Sequence, residues 1–164
     1  MGKKKDRSGG QVRTNSMRLL DARRVQYEVL SFSPDIHSAT DAAAAMGADP
    51  STVYKTLVVE RTRGKPLLVM VAGDKQVDLG MLAASVGEKK LRLASHGDAE
   101  KLTGLQVGGI SALALLNKGF DIYIDRAAQS LEWITVSAGQ RGLNLKLAVS
   151  DLVRITRAEW VATG

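Results

Sequence analysis

The sequence predicts an α+β fold, a single compact domain in which a mixed, curled β-sheet is flanked by short helices. Apolar residues recur with a period of two in some stretches and at helical spacing in others, and these short stretches interleave without a regular βαβ repeat. Gly, Pro and Asp separate them at most junctions. At 164 residues the chain is long enough to bury about two-thirds of its unfolded surface around one core, and no internal repeat divides it.

The elements follow in order. Asn15 is read as the N-cap of a first helix, carried to about Arg24 by the spacing of Met17, Leu19, Leu20 and Ala22. Val25, Tyr27, Val29 and Ser31 then alternate as a strand, and residues 33–38 form a loop. Thr40 is read as the cap of an alanine-rich helix over 41–46 that Gly47 ends. Residues 53–60 form a strand on β-branched content, with Val53, Lys55, Leu57 and Val59 on one face. A hairpin over 61–65 leads into Leu67 to Ala72, an unbroken apolar run expected at the centre of the sheet.

Asp78 caps a helix closed at Gly87, residues 90–93 are a brief strand, and residues 95–102 a short helix. Ile110 to Leu116 reads as a strand or a buried turn, and residues 120–125 and 133–137 as strands. Gly139 and Gly142 frame a basic turn over 138–142 before a last strand, 143–147, and a closing helix capped by Ser150.

Composition removes several chemistries. With no cysteine, there is no disulfide framework, thiolate metal site or thiol nucleophile. No apolar run approaches the roughly 20 residues of a membrane span, and no secretion signal follows the basic start, so a soluble cytoplasmic protein is expected. The formal charge is +6, but Lys3, Lys4, Lys5, Arg7 and Arg13 against Asp6 place +4 of it in the first thirteen residues, read as a disordered basic tail ahead of a domain over 14–164. Aromatic residues, at 4%, are too few for a row of base-stacking rings.

Two features carry chemistry. Gly108 and Gly109, between Val107 and Ile110, permit a tight turn with amides that no Cβ shields, able to hold an oxyanion or phosphate. Lys55 places an ammonium on an otherwise apolar strand face, where it must snorkel, pair or border a pocket. Neither histidine has a partner at ligand spacing, so His37 reads as a loop residue and His96 as a solvated residue at a helix start.

Three motifs extend this reading: Val53-Tyr54-Lys55-Thr56-Leu57, Val107-Gly108-Gly109-Ile110-Ser111, and Val136-Ser137-Ala138-Gly139-Gln140-Arg141-Gly142-Leu143. In order and spacing they resemble the YbaK family, the stand-alone relatives of the prolyl-tRNA synthetase editing domain, over roughly residues 15–160. The resemblance implies a trans-editing hydrolase that deacylates mischarged aminoacyl-tRNA, most often cysteine on the proline tRNA. It also implies the acceptor end of aminoacyl-tRNA as the ligand, prolyl-tRNA synthetase as a further partner, and neither cofactor nor metal. Lys55 matches the family's essential lysine; with Gly108 and Gly109 it would act on the ester, while Phe32, Thr56, Ile110, Ser111, Ser137 and Asn144 would line the substrate pocket.

Three positions depart from the family pattern. Ala112 stands where a proline usually follows the glycine motif, Asn144 where an aspartate is common, and Phe32 where many cysteine-clearing members have tyrosine. They bear on which amino acid is cleared. They also leave an alternative, a non-catalytic tRNA- or synthetase-binding module on the same fold.

Overall fold

The computed structural model describes residues 13–164. Its helices are short, and local capping decides where they start. Thr14 caps α1 (Asn15–Ala22), Ser38 caps α2 (Ala39–Met46), Asp78 caps α3 (Leu79–Val86) and Ser95 caps α4 (His96–Thr103), each by accepting a first-turn N–H on its side chain. Two expected caps therefore move. Asn15 is already helical and binds Arg18 instead, and Thr40 lies inside the turn that Ser38 opens. Ser150 caps nothing, because the chain passes straight from strand to helix and Ala148 occupies the cap position of α5 (Val149–Thr156).

The strands are β1 (Tyr27–Ser31), β2 (Tyr54–Arg61), β3 (Leu67–Ala72), β4 (Leu91–Leu93), β5 (Asp121–Asp125), β6 (Trp133–Gln140), β7 (Leu143–Ala148) and β8 (Glu159–Val161). They form a five-stranded mixed sheet, ordered β4-β2-β3-β5-β8, and a three-stranded antiparallel sheet, ordered β1-β7-β6. A single bridge between Val53 and Thr135 joins the two.

Every residue of β3 is buried, as its unbroken apolar run requires. Leu68 and Met70 face the larger core, where Tyr54 and Val58 meet Ile134, Val136, Leu145 and Leu147 of the second sheet. Leu67, Val69 and Val71 face a smaller core closed by Leu82 and Ala83 of α3.

One open expectation is decided and two segments differ. Residues 112–115 form a 3-10 turn, which decides between the strand and the buried turn considered for 110–116. The turn expected over 138–142 narrows to Arg141 and Gly142, because β6 continues through Gln140 across a register shift after Ser137. The unanticipated β8 pairs in parallel with β5.

The basic tail expected over 1–13 lies outside the described residues except for Arg13, which is ion-paired with Asp21. Among the described residues, no helix is long and apolar enough to cross a membrane.

Register positions the site. Antiparallel β4 covers only Val59 to Arg61 of β2, and Ala94 closes the ladder by donating its N–H to the Val58 carbonyl. Ahead of that point, among the described residues, no strand pairs with the outer edge of β2, and a cavity opens there.

Candidate active site

The cavity holds about 370 Å³ and lies between the open half of β2, the loop of residues 32–38 with the start of α2, the start of α4 and the glycine turn. Lys55, paired in register with Val71, is half-buried in its wall and donates from Nζ to the Gly73 carbonyl at 3.2 Å. Burial pushes its ammonium below the ordinary lysine pKa, and the nearby Asp74 carboxylate offsets that only in part. Gly73 is held tightly, since a Cβ there would lie 2.7 Å from the Ala39 Cβ. The carbonyl that anchors the cation is therefore fixed by packing. Neighbouring Tyr54 also lines the cavity, and burial, with Asp125 and Asp74, pushes its hydroxyl up to about 12.

The two glycines of the turn do different things. Gly108 adopts φ +93° and lines the cavity. Gly109 does not line it: its N–H donates to the Gln106 carbonyl at 2.7 Å, and a Cβ on it would stand 2.9 Å from the Arg141 backbone nitrogen. The expectation that both amides lie uncovered is met only at Gly108, because Gly109 closes the turn and admits the β6–β7 hairpin against it.

Of the other expected site residues, Phe32, Thr56, Ile110, Ser137 and Asn144 line the same cavity. Ser137 and Asn144 are cross-strand partners on β6 and β7. Ser137 already accepts the Gly139 N–H, whereas the buried Asn144 amide makes no hydrogen bond among the described residues. Ser111 is not in the cavity wall; it is 1% exposed and caps the following 3-10 turn through the Leu113 N–H.

Both histidines of the chain reach the rim, His37 from the loop and His96 from the first position of α4, and both are exposed. The sequence placed them in solvent and gave no sign that they share a cavity, since neither belongs to a periodic pattern. Gly73 and Asp74 were also missed. Among the described residues no group of three or more His, Asp or Glu side chains could hold a metal ion. What the cavity offers is the Lys55 cation and a Gly108 N–H without a partner among the described residues, beside an apolar pocket, an arrangement suited to polarising and holding a carbonyl compound.

The family model of the aminoacyl-tRNA editing domain matches residues 33–155 and places the chain among the hydrolytic editing domains of translation. The chain belongs to that family. It is 33% identical to a protein of Enterococcus faecalis named as a candidate Cys-tRNA(Pro)/Cys-tRNA(Cys) deacylase, EbsC, across 98% of this chain and 96% of that one. The proline–tRNA ligase of Caldicellulosiruptor bescii is 27% identical over 70% of this chain, which spans only 19% of the ligase. Among solved structures, the hypothetical protein APE2540 superposes with a TM-score of 0.81 at 26% identity, covering 89% of this chain and 96% of that one. A candidate trans-editing enzyme for prolyl tRNA synthetase shares the fold at a TM-score of 0.77 and 23% identity, covering 93% of this chain and 98% of that one.

Proposed function

We propose that this editing domain acts in the cytoplasm as a trans-editing deacylase, removing cysteine or a similarly small amino acid from the acceptor end of a mischarged proline tRNA. The observation that carries the reading is the convergence of Lys55 and Gly108 on one cavity. Water adds to the ester carbonyl carbon, and the carbonyl oxygen takes up negative charge. The Gly108 N–H donates to that oxygen, and the Lys55 cation holds the substrate from β2. Collapse of the tetrahedral intermediate breaks the bond to the ribose oxygen, which takes one of the attacking water's two protons and leaves as the free hydroxyl; the other proton is lost to solvent, and the amino acid departs as its carboxylate.

An aminoacyl ester is already reactive, so no nucleophilic side chain is required. Phe32, Ile110 and Thr56 shape the amino-acid pocket, and the uncommitted amides of Asn144 and Gly108 supply its polar contacts. Gly109 serves the reaction only by closing the glycine turn, and Ser111 only by capping the 3-10 turn that follows it. Prolyl-tRNA synthetase is a reasonable escort, because its own chain carries a related segment in Caldicellulosiruptor bescii.

The test is ester loss from cysteinyl-, alanyl- and prolyl-tRNA(Pro), with Lys55→Ala alongside. Turnover of the cysteinyl or alanyl ester, lost in the variant, supports the reading. Tight tRNA binding without turnover on any ester supports the alternative of a binding module, which the uncharged Asn144 favours.

A further inference from the structure

The turn that carries Gly108 is gripped by two side chains that the mechanism above does not use. Residues 106–109 form a four-residue turn closed by the Gly109 N–H on the Gln106 carbonyl, and the positive φ of Gly108 in third position marks it as type II. The central peptide of such a turn, here Val107–Gly108, pairs neither its C=O nor its N–H within the turn. Types I and II differ chiefly by a flip of that one plane.

In this chain the plane is anchored. Arg141 donates from Nε to the Val107 carbonyl at 2.7 Å, and Glu100 accepts the Val107 N–H on Oε2 at 2.8 Å. A planar trans peptide points its N–H opposite its C=O, so fixing the carbonyl on Arg141 fixes the Gly108 N–H on the far side. That N–H has no hydrogen-bond partner among the described residues, and Gly108 stands in the cavity wall. Arg141, beside the β6–β7 turn, fixes the Val107–Gly108 plane, while Glu100 of α4 fixes the preceding Gln106–Val107 plane through the Val107 N–H.

We propose that Arg141, supported by Glu100, is a positioning residue of the deacylation site: its hold on the Val107 carbonyl keeps the Gly108 N–H presented to the substrate's carbonyl oxygen. This rests on the cavity being the site of ester cleavage. It goes further by naming the group that orders the oxyanion donor. Without the anchor the plane is free to flip, and in the flipped turn a carbonyl replaces the donor.

The experiment compares wild type, Arg141→Ala, Arg141→Lys and Glu100→Gln in single-turnover hydrolysis of cysteinyl-tRNA(Pro), with affinity for the uncharged tRNA measured in parallel. Removing one oxyanion donor typically slows catalysis by about 100- to 1000-fold, so partial loss of its orientation in Arg141→Ala should slow the chemical step by about 10- to 100-fold. Affinity should stay within about two-fold, and Arg141→Lys should recover part of the rate. A wild-type rate in Arg141→Ala would overturn the inference and leave the deacylase reading standing.

A second measurement does not depend on turnover. In 15N-labelled protein, a 3′-amide-linked cysteinyl-adenosine analogue should shift the Gly108 amide resonance strongly in wild type and weakly in Arg141→Ala. If the amide does not move in wild type, the inference fails whatever the rates; if it moves and no ester is hydrolysed, it is the deacylase reading that fails.

Discussion

The Lys55 ammonium is half-buried on the strand that carries it and held by one carbonyl, with the Asp74 carboxylate as the opposing charge that acts on it. Its lowered pKa means that the folded chain binds fewer protons than the unfolded chain between the two values. The site is therefore unfavourable to stability below the folded pKa, and the cost is relieved as pH rises through it. If the cation is what holds the substrate, enzyme-dependent ester cleavage should have an alkaline limb centred below the ordinary lysine range. Asp74→Asn should move that limb to still lower pH, which a pH–rate profile corrected for uncatalysed hydrolysis would reveal. An unmoved limb would remove Asp74 from the picture. The neighbouring glycines show what residue-level reading could and could not supply. A Gly-Gly pair announces a special backbone, but Gly108 is needed for its φ and Gly109 for the 2.9 Å approach of Arg141, a distinction that exists only in three dimensions. Gly109→Ala should accordingly lower unfolding free energy by about 1–3 kcal/mol in urea titration, a cost of overpacking against backbone.

At the scale of elements, β2, β3, α3 and the hairpin between the two strands were legible, because periodicity, an apolar run and an Asp cap are local signals. The segment β8 was not. It has three residues and gains its strand character from parallel pairing with β5, which is 36 residues earlier at the Tyr123–Glu159 pair. The shift in β6 after Ser137 was hidden for a similar reason: Gly139, at φ +99°, was read as part of the turn when it lies within the strand. Around β5 the chain buries a charge. Asp125, 2% exposed, meets Lys75 at 2.7 Å and also accepts the Ala127 N–H, while Lys75 reaches on to the Gly164 carbonyl. Asp125→Ala would leave the lysine without its counter-charge and undo the turn after β5, costing on the order of 3 kcal/mol. Equilibrium denaturation would test it, with a loss below 1 kcal/mol counting against a structural role for the pair.

Across the whole molecule, fold class and family were readable before any coordinates because three separated motifs agreed, and the structure brings residues of all three to one cavity. Less readable was that the strands divide into two sheets joined at Val53, with the cavity at the edge that β4 leaves uncovered. No local pattern records how far a neighbouring strand extends. The charge distribution belongs to this scale as well. Removing residues 1–12 deletes Lys3, Lys4, Lys5 and Arg7 together with Asp6, a net +3, and leaves the Arg13–Asp21 pair intact. The truncated chain should show a flatter dependence of tRNA affinity on salt with an unchanged single-turnover rate. A slowed chemical step would mean that the segment contributes to the site.

Most direct of all is a crystal structure of the full chain with the non-hydrolysable 3′-amide analogue of cysteinyl-adenosine. The expected result is a ligand seated between β2 and the turn at 106–109, with Lys55 Nζ and the Gly108 N–H each about 3 Å from its oxygens. A ligand bound elsewhere at saturation, or one seated in the cavity without either contact, would contradict the assignment of this cleft as the place where the ester is cut.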